Sequence, residues 1–160
     1  MGLKFLKYLL IAVVVLVIGV PSLMAAGYYV RNKMAGPDGW AKDDALKALK
    51  AKMKDPDSTV IRSSYLVHKR KDSETMEIVV CGIVDGKNGF GAYTGGTRFV
   101  SVSADNEKLN TFDTYIVEMD EASMQDREAS RKGISLTSFE EVYWNGYCVD
   151  AQHPALAAKS

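Results

Sequence analysis

The sequence predicts an α+β domain behind an N-terminal membrane helix: a leading helix, a four-stranded antiparallel sheet in meander order, and a C-terminal helix on one face. Three observations predict it. Apolar residues recur every four positions at Ala41, Ala45, Leu49 and Met53, the spacing of one helix face. Four stretches rich in β-branched and aromatic residues follow, separated by turn-forming residues. Near the C terminus, Thr137 with Glu140 and Ser138 with Glu141 have the spacing of a capping box ahead of Phe139, Val142 and Tyr143. The 160 residues suit one domain plus one appendage. The divisions expected are a signal-anchor or transmembrane segment over 1–30, a linker over 31–37, the domain over 38–150 and a disordered tail over 151–160.

The N-terminal segment opens with Lys4 and Lys7 and runs apolar through 9–20, the length of a signal-peptide core. Pro21 and Ser22 interrupt, and apolar character then resumes to Val30. The 22 residues of 9–30 make ~33 Å of helix at ~1.5 Å per residue, enough to cross a bilayer. Two fates stay open. An uncleaved anchor uses Tyr28 and Tyr29 as interfacial residues; a cleaved signal uses Ala25 and Gly27 as the small residues before the cut and releases the domain to the periplasm. The anchor is preferred, because the apolar stretch outruns any cleavage point. Lys and Arg after the segment outnumber those before it, which by the positive-inside rule points to a cytoplasmic domain. The cysteines point the other way, so the expected location is the inner membrane, single pass, with the domain on the periplasmic side. The bilayer is thus one expected partner, through residues 9–30.

Gly36, Pro37 and Gly39 predict a hinge, and Asp38 an N-cap for the leading helix, which must stop before Pro56. Residues 59–67 alternate, with Ile61, Tyr65 and Val67 on one side and Arg62, Ser64 and His68 on the other, as in a half-exposed strand. Residues 76–84 are apolar on both parities and suit a central strand covered on both faces. Asp85-Gly86 and Asn88-Gly89 are hairpin dipeptides, so 90–102 is expected as the return strand, with Gly95-Gly96 marking a bulge or a close backbone approach. Residues 112–119 form a fourth strand. Residues 120–132 are too charged for a core element and read as a loop or an exposed helix.

The composition narrows function mainly by exclusion. Lys plus Arg and Asp plus Glu number 20 each, so no net field draws the domain to nucleic acid. Two cysteines with the distant His68 and His153 show no ligand spacing, so neither a metal nor another cofactor is expected. The glycines of 89–96 fit no phosphate-binding pattern, and no serine lies in a nucleophile elbow. The predicted role is non-enzymatic binding of a protein partner or an envelope polymer through the 85–98 hairpin or the sheet face. Lys87, Asn88, Tyr93 and Arg98 are the groups expected to project. A small exported hydrolase with a scattered acid and base, or a structural subunit of an envelope complex, are the alternatives. Cys81 and Cys148 are the only cysteines; in an exported chain an even count favours a disulfide, and two separate thiols remain the alternative.

The segment Val80-Cys81-Gly82-Ile83-Val84-Asp85-Gly86-Lys87-Asn88, with Gly91-Ala92-Tyr93 after it, Asp55-Pro56-Asp57-Ser58 before it and Trp144 through Cys148 at the end, resembles an uncharacterised family of small exported bacterial or phage proteins. Asp85 and Ala92 depart from the Asn and Gly of that pattern. The resemblance implies export and a Cys81–Cys148 pairing, and it implies no activity.

Overall fold

Gly36 divides the chain into two units, Met1–Gly36 and Pro37–Ser160. The computed structural model describes residues 7–9, 13 and 15–158. In the first unit a π-helical turn, Val15–Gly19, leads into helix α1, Val20–Lys52, which breaks at Gly36 and whose remainder belongs to the second unit. The Ser22 hydroxyl donates back to the Ile18 carbonyl at 2.6 Å. Large apolar side chains of this unit, Leu16, Ile18, Leu23, Met24 and Met34 among them, are exposed. Even so, among the described residues no helix is long and apolar enough to cross a membrane. The expected span over 9–30 includes Leu10, Ile11, Ala12 and Val14, which lie outside the described residues. The helix that begins at Val20 soon runs into charged residues.

The expected linker over 31–37 is helical apart from Gly36, whose φ of 64° and ψ of −177° break α1. Glycine adopts this left-handed φ without the Cβ penalty, and Pro37 then starts the next turns with a preset φ and no amide hydrogen to leave unpaired. Asp38, expected as a cap, holds His68 Nε2 at 2.7 Å.

In the second unit the four-residue spacing does what it predicts: Ala41, Ala45 and Leu49 are fully buried. A 3-10 turn, Pro56–Ser58, leads to β1 (Val60–Arg70), β2 (Thr75–Asp85), β3 (Thr97–Asn106) and β4 (Thr111–Met119). All neighbours are antiparallel, in the order β1-β2-β3-β4. Helix α2, Met124–Arg131, occupies the charged stretch, with Ser123 accepting from the Asp126 amide as its cap. A π-helical turn, Glu140–Trp144, continues into the short α3, Asn145–Tyr147. Its capping box is reciprocal: the Glu140 amide donates to Thr137 Oγ1 at 3.1 Å, and the Thr137 amide donates to Glu140 Oε2 at 2.8 Å.

The sheet is covered on both sides. Ala41, Ala45 and Leu49 pack with Ile78, Val80, Val84 and Phe99 on one face. Val67, Val79, Cys81, Val100 and Val102 meet Phe139 and Cys148 on the other. Both faces of β2 are therefore buried, as its unbroken apolar run requires. The Cys81–Cys148 disulfide stitches the C-terminal segment to this strand, with Cα atoms 5.8 Å apart.

Two expectations fail on backbone irregularities. Strict alternation puts Ile61 with Tyr65 and Val67, but it packs with Leu66 on the opposite face. Ile61 pairs with Val84 and Ser63 with Ile83, so Arg62 is an extra residue, and a bulge of one residue exchanges the faces of everything before it. The return strand expected from residue 90 begins only at Thr97, because residues 86–96 form a loop of their own. Residues 151–158, expected to be disordered, also pack back. Asn145 exchanges two hydrogen bonds with Leu156, each 2.8 Å, and His153 stacks on Tyr65 at 3.7 Å.

The bulge explains Gly82. A Cβ there would stand 2.3 Å from the Ser63 carbonyl oxygen and 2.9 Å from the Phe99 ring. Gly82→Ala is expected to lower stability by about 1–3 kcal/mol, because the obstacle is backbone held in the β1–β2 ladder. Gly89→Ala, where nothing lies within 4 Å, should stay within about 0.5 kcal/mol. Urea midpoints measure both; equal midpoints would show that the bulge yields freely.

Candidate functional site

Residues 86–96 are built on three side chains. Asp85, buried at the end of β2, accepts from the Gly86 amide (2.8 Å), the Thr94 amide (3.1 Å) and the Arg62 guanidinium (2.9 Å). Burial raises the Asp85 pKa, but these donors and the Arg62 charge outweigh it and hold the carboxyl below its ordinary range. The bulge that displaces Arg62 is thus also what supplies Asp85 with its counter-charge. Ser58 Oγ donates to the Asp55 carbonyl and accepts from the Lys87 amide, each at 2.9 Å, tying the Asp55-Pro56-Asp57-Ser58 stretch to the loop.

The third side chain is Asn88. Its Oδ1 accepts from the amides of Phe90 (3.0 Å) and Ala92 (3.1 Å), while its backbone closes a turn onto Ala92 and Gly91 at 2.9 Å each. Lys87 and Tyr93 form a β-bridge across this miniature hairpin. Gly91, at φ 79°, takes the left-handed position expected of an earlier glycine in the run. Arg62 lies over the Tyr93 ring at 4.8 Å and Lys87 at 5.8 Å. At the tip stands Phe90, 98 % exposed. A fully exposed aromatic side chain on a loop this closely bonded has no packing role in the domain.

A second locus surrounds Arg98. Its guanidinium donates to Asp120 Oδ2 at 3.4 Å, makes a short ion pair with Glu140 Oε1, and lies 5.4 Å from the Trp144 ring. Glu140 is only 2 % exposed and also accepts from Ser130 Oγ, at 2.7 and 2.6 Å to its two oxygens. Burial pushes the Glu140 pKa up; bonds from Ser130, Thr137 and Arg98, with the Arg98 charge, pull it below the ordinary value. It is therefore held ionised at neutral pH and has no proton to give as a general acid. Arg127 donates to the Asp120 carbonyl at 2.6 Å. Arg98, Asp120, Arg127, Ser130, Arg131 and Glu140 line a cavity of about 410 Å³, with Gly95 and Gly96 in its wall.

A third cluster covers the disulfide. Tyr65 Oη donates to the Cys148 carbonyl at 2.9 Å, its ring meets Trp144 edge-on at 6.3 Å, and His153 Nδ1 lies 2.8 Å from Asp150 Oδ1. Burial, then the Asp150 charge, raise the Tyr65 pKa. This set fastens the tail and presents no nucleophile.

The four residues expected to form one patch are thus divided. Lys87 and Tyr93 come together with Arg62, which sequence reasoning did not select. Asn88 is exposed, but its carbonyl oxygen is spent on the loop. Arg98 belongs to the buried ion network instead. Glu140 was visible only as a cap residue; Asp120, Arg127 and Ser130 lay in a stretch whose charges gave no hint of which would turn inward. The signal for Phe90 was present in the sequence, as an aromatic between two glycines at a turn. No known protein family, curated protein or solved structure matches the chain.

Proposed function

We propose that the protein is a non-enzymatic binding protein of a bacterial envelope, held at the inner membrane by residues 9–30 with its domain on the periplasmic side. Loop 86–96 is its contact with a protein partner or envelope polymer. The observation that carries the binding role is Phe90: a large apolar group offered to solvent by a loop that Asn88, Asp85 and Ser58 keep in one shape. A prearranged aromatic anchor binds without first paying the entropy of ordering its loop. Lys87 and Arg62, both stacked toward Tyr93, add positive charge beside it. Export is supported by the disulfide, which persists in oxidising compartments. The membrane location is supported by the apolar run of 9–30 and by the uncovered apolar side chains of the first unit.

The test separates contact from folding. Phe90→Ser should leave stability within about 0.5 kcal/mol, since the ring touches little of its own domain. The same change should abolish partner capture when the full chain is isolated in mild detergent after crosslinking in intact cells. A variant that captures the same partner at the same yield would remove loop 86–96 from the interface. For location, a reporter active only after export, fused behind Ser160, should be active.

A further inference from the structure

We infer that the cavity beside Arg98 is a binding site for an oxyanion, a carboxylate or phosphate group of the ligand. This deepens the binding role proposed above and rests on it for biological meaning, though not for its chemistry. Charge balance is the first argument. Three guanidiniums line the cavity, Arg98, Arg127 and Arg131, against two carboxylates, Asp120 and Glu140. One positive charge is left over.

Hydrogen bonding locates that surplus. Both carboxylates are already engaged: Arg98 contacts each of them, Glu140 also takes Ser130 and the Thr137 amide, and Asp120 Oδ1 takes the Ala122 amide at 3.1 Å. They therefore offer a cation little, and neither is free to neutralise a second arginine. Arg127 spends one nitrogen on the Asp120 carbonyl, yet its Nε is buried with no acceptor among the described residues. A buried N–H of a charged group left unpaired is costly, and so it marks a place where an acceptor belongs. Arg131 is exposed, without a partner among the described residues, and sits four residues after Arg127 on α2, on the same helix face.

The walls suit such a ligand. Gly95, at φ 95°, has nothing within 4 Å of where a Cβ would stand, so a ligand can approach the backbone there, whereas the same space at Gly96 is filled by the Ile83 side chain. The volume admits a small molecule or the end of a polymer unit. Two guanidinium forks favour an anion with several acceptor oxygens over a spherical halide, because each fork aligns parallel N–H bonds with paired oxygens.

Titration of the full chain in neutral detergent, followed by amide and arginine side-chain NMR, tests this with three probes: inorganic phosphate, acetyl-dialanine with a free carboxylate, and its carboxamide. Saturable binding of the carboxylate peptide, with none of the amide, is expected if the group comes from a peptide end; saturable binding of phosphate instead assigns a phosphate source. Either result should move the Arg127 Nε resonance and weaken about tenfold in Arg131→Gln, whose exposed side chain contributes nothing to the fold. Arg127→Gln should weaken it further. The inference is overturned if no oxyanion saturates, or if saturation is unchanged in both variants. Phe90→Ser should retain oxyanion binding while losing partner capture, so failure at the cavity and failure at the loop are told apart.

Discussion

Glu140→Ala is expected to lower the stability of the folded domain by about 3 kcal/mol at pH 7. Removing one member of a buried ion pair leaves the other uncompensated, typically at about 3–5 kcal/mol. The lower end applies because Arg98 is 29 % exposed and water softens its orphaned charge. The same substitution deprives Ser130 and the Thr137 amide of their acceptor and opens the capping box. The pH dependence separates the ionic part. The Glu140 pKa is depressed below its ordinary 4.5 in the folded protein. Its charged form therefore contributes stability that is fully present above the unfolded value and is lost as pH falls through the folded one. Urea unfolding of wild type and Glu140→Gln should show a gap at pH 7 that narrows as pH drops below about 4.5. Asp72, Asp85 and Asp150, also depressed, titrate in both proteins and cancel in the difference. A gap that stays constant down to pH 3 would show that shape, not charge, is what Glu140 supplies.

Loss of the disulfide is the other large effect. Cys81 and Cys148 are 67 residues apart, and closing a loop of that size in the unfolded chain is worth on the order of 4 kcal/mol by chain entropy. Both cysteines are at most 1 % exposed, so the bond is shielded by the same apolar groups that it holds together. Cys81→Ser and Cys148→Ser should lower the melting temperature by similar amounts. The double variant should lose little more than either alone, since both changes break one bond. Additive losses would mean that each side chain acts separately. Freed of the bond, residues 138–158 should open before the sheet, and hydrogen exchange at Tyr147 and Cys148 should rise ahead of exchange at Val79 and Val100.

Much of this architecture was written in local pattern. The period of four at Ala41, Ala45 and Leu49, the two-sided apolar run of β2, the turn residues between strands and the Thr137–Glu140 spacing each specify an element from within itself, because backbone geometry fixes which side chains share a face. The meander followed, since short connections join neighbouring antiparallel strands. The disulfide was legible because only two cysteines exist to form one.

What sequence alone could not decide was every feature that depends on where a distant backbone lies. Arg62 is an extra residue only relative to β2, and its displacement moves Ile61 to the opposite face and delivers a guanidinium to Asp85. Gly82 is required by a carbonyl nineteen positions away, at Ser63. Tail residues such as His153 are ordered by Tyr65, far back in β1. The candidate site follows the same rule. The signal for Phe90 lay within a turn of three residues, although the sequence reading places it at the start of the return strand, whereas Arg98, Asp120, Arg127, Ser130 and Glu140 come from β3, the β4–α2 connection, α2 and the C-terminal segment. A lone charged residue in a sequence reads as solvated, because that is its lowest-energy state until a partner is brought within hydrogen-bonding distance. Tertiary packing alone supplies that partner, so the fold was largely local information and the cavity was not.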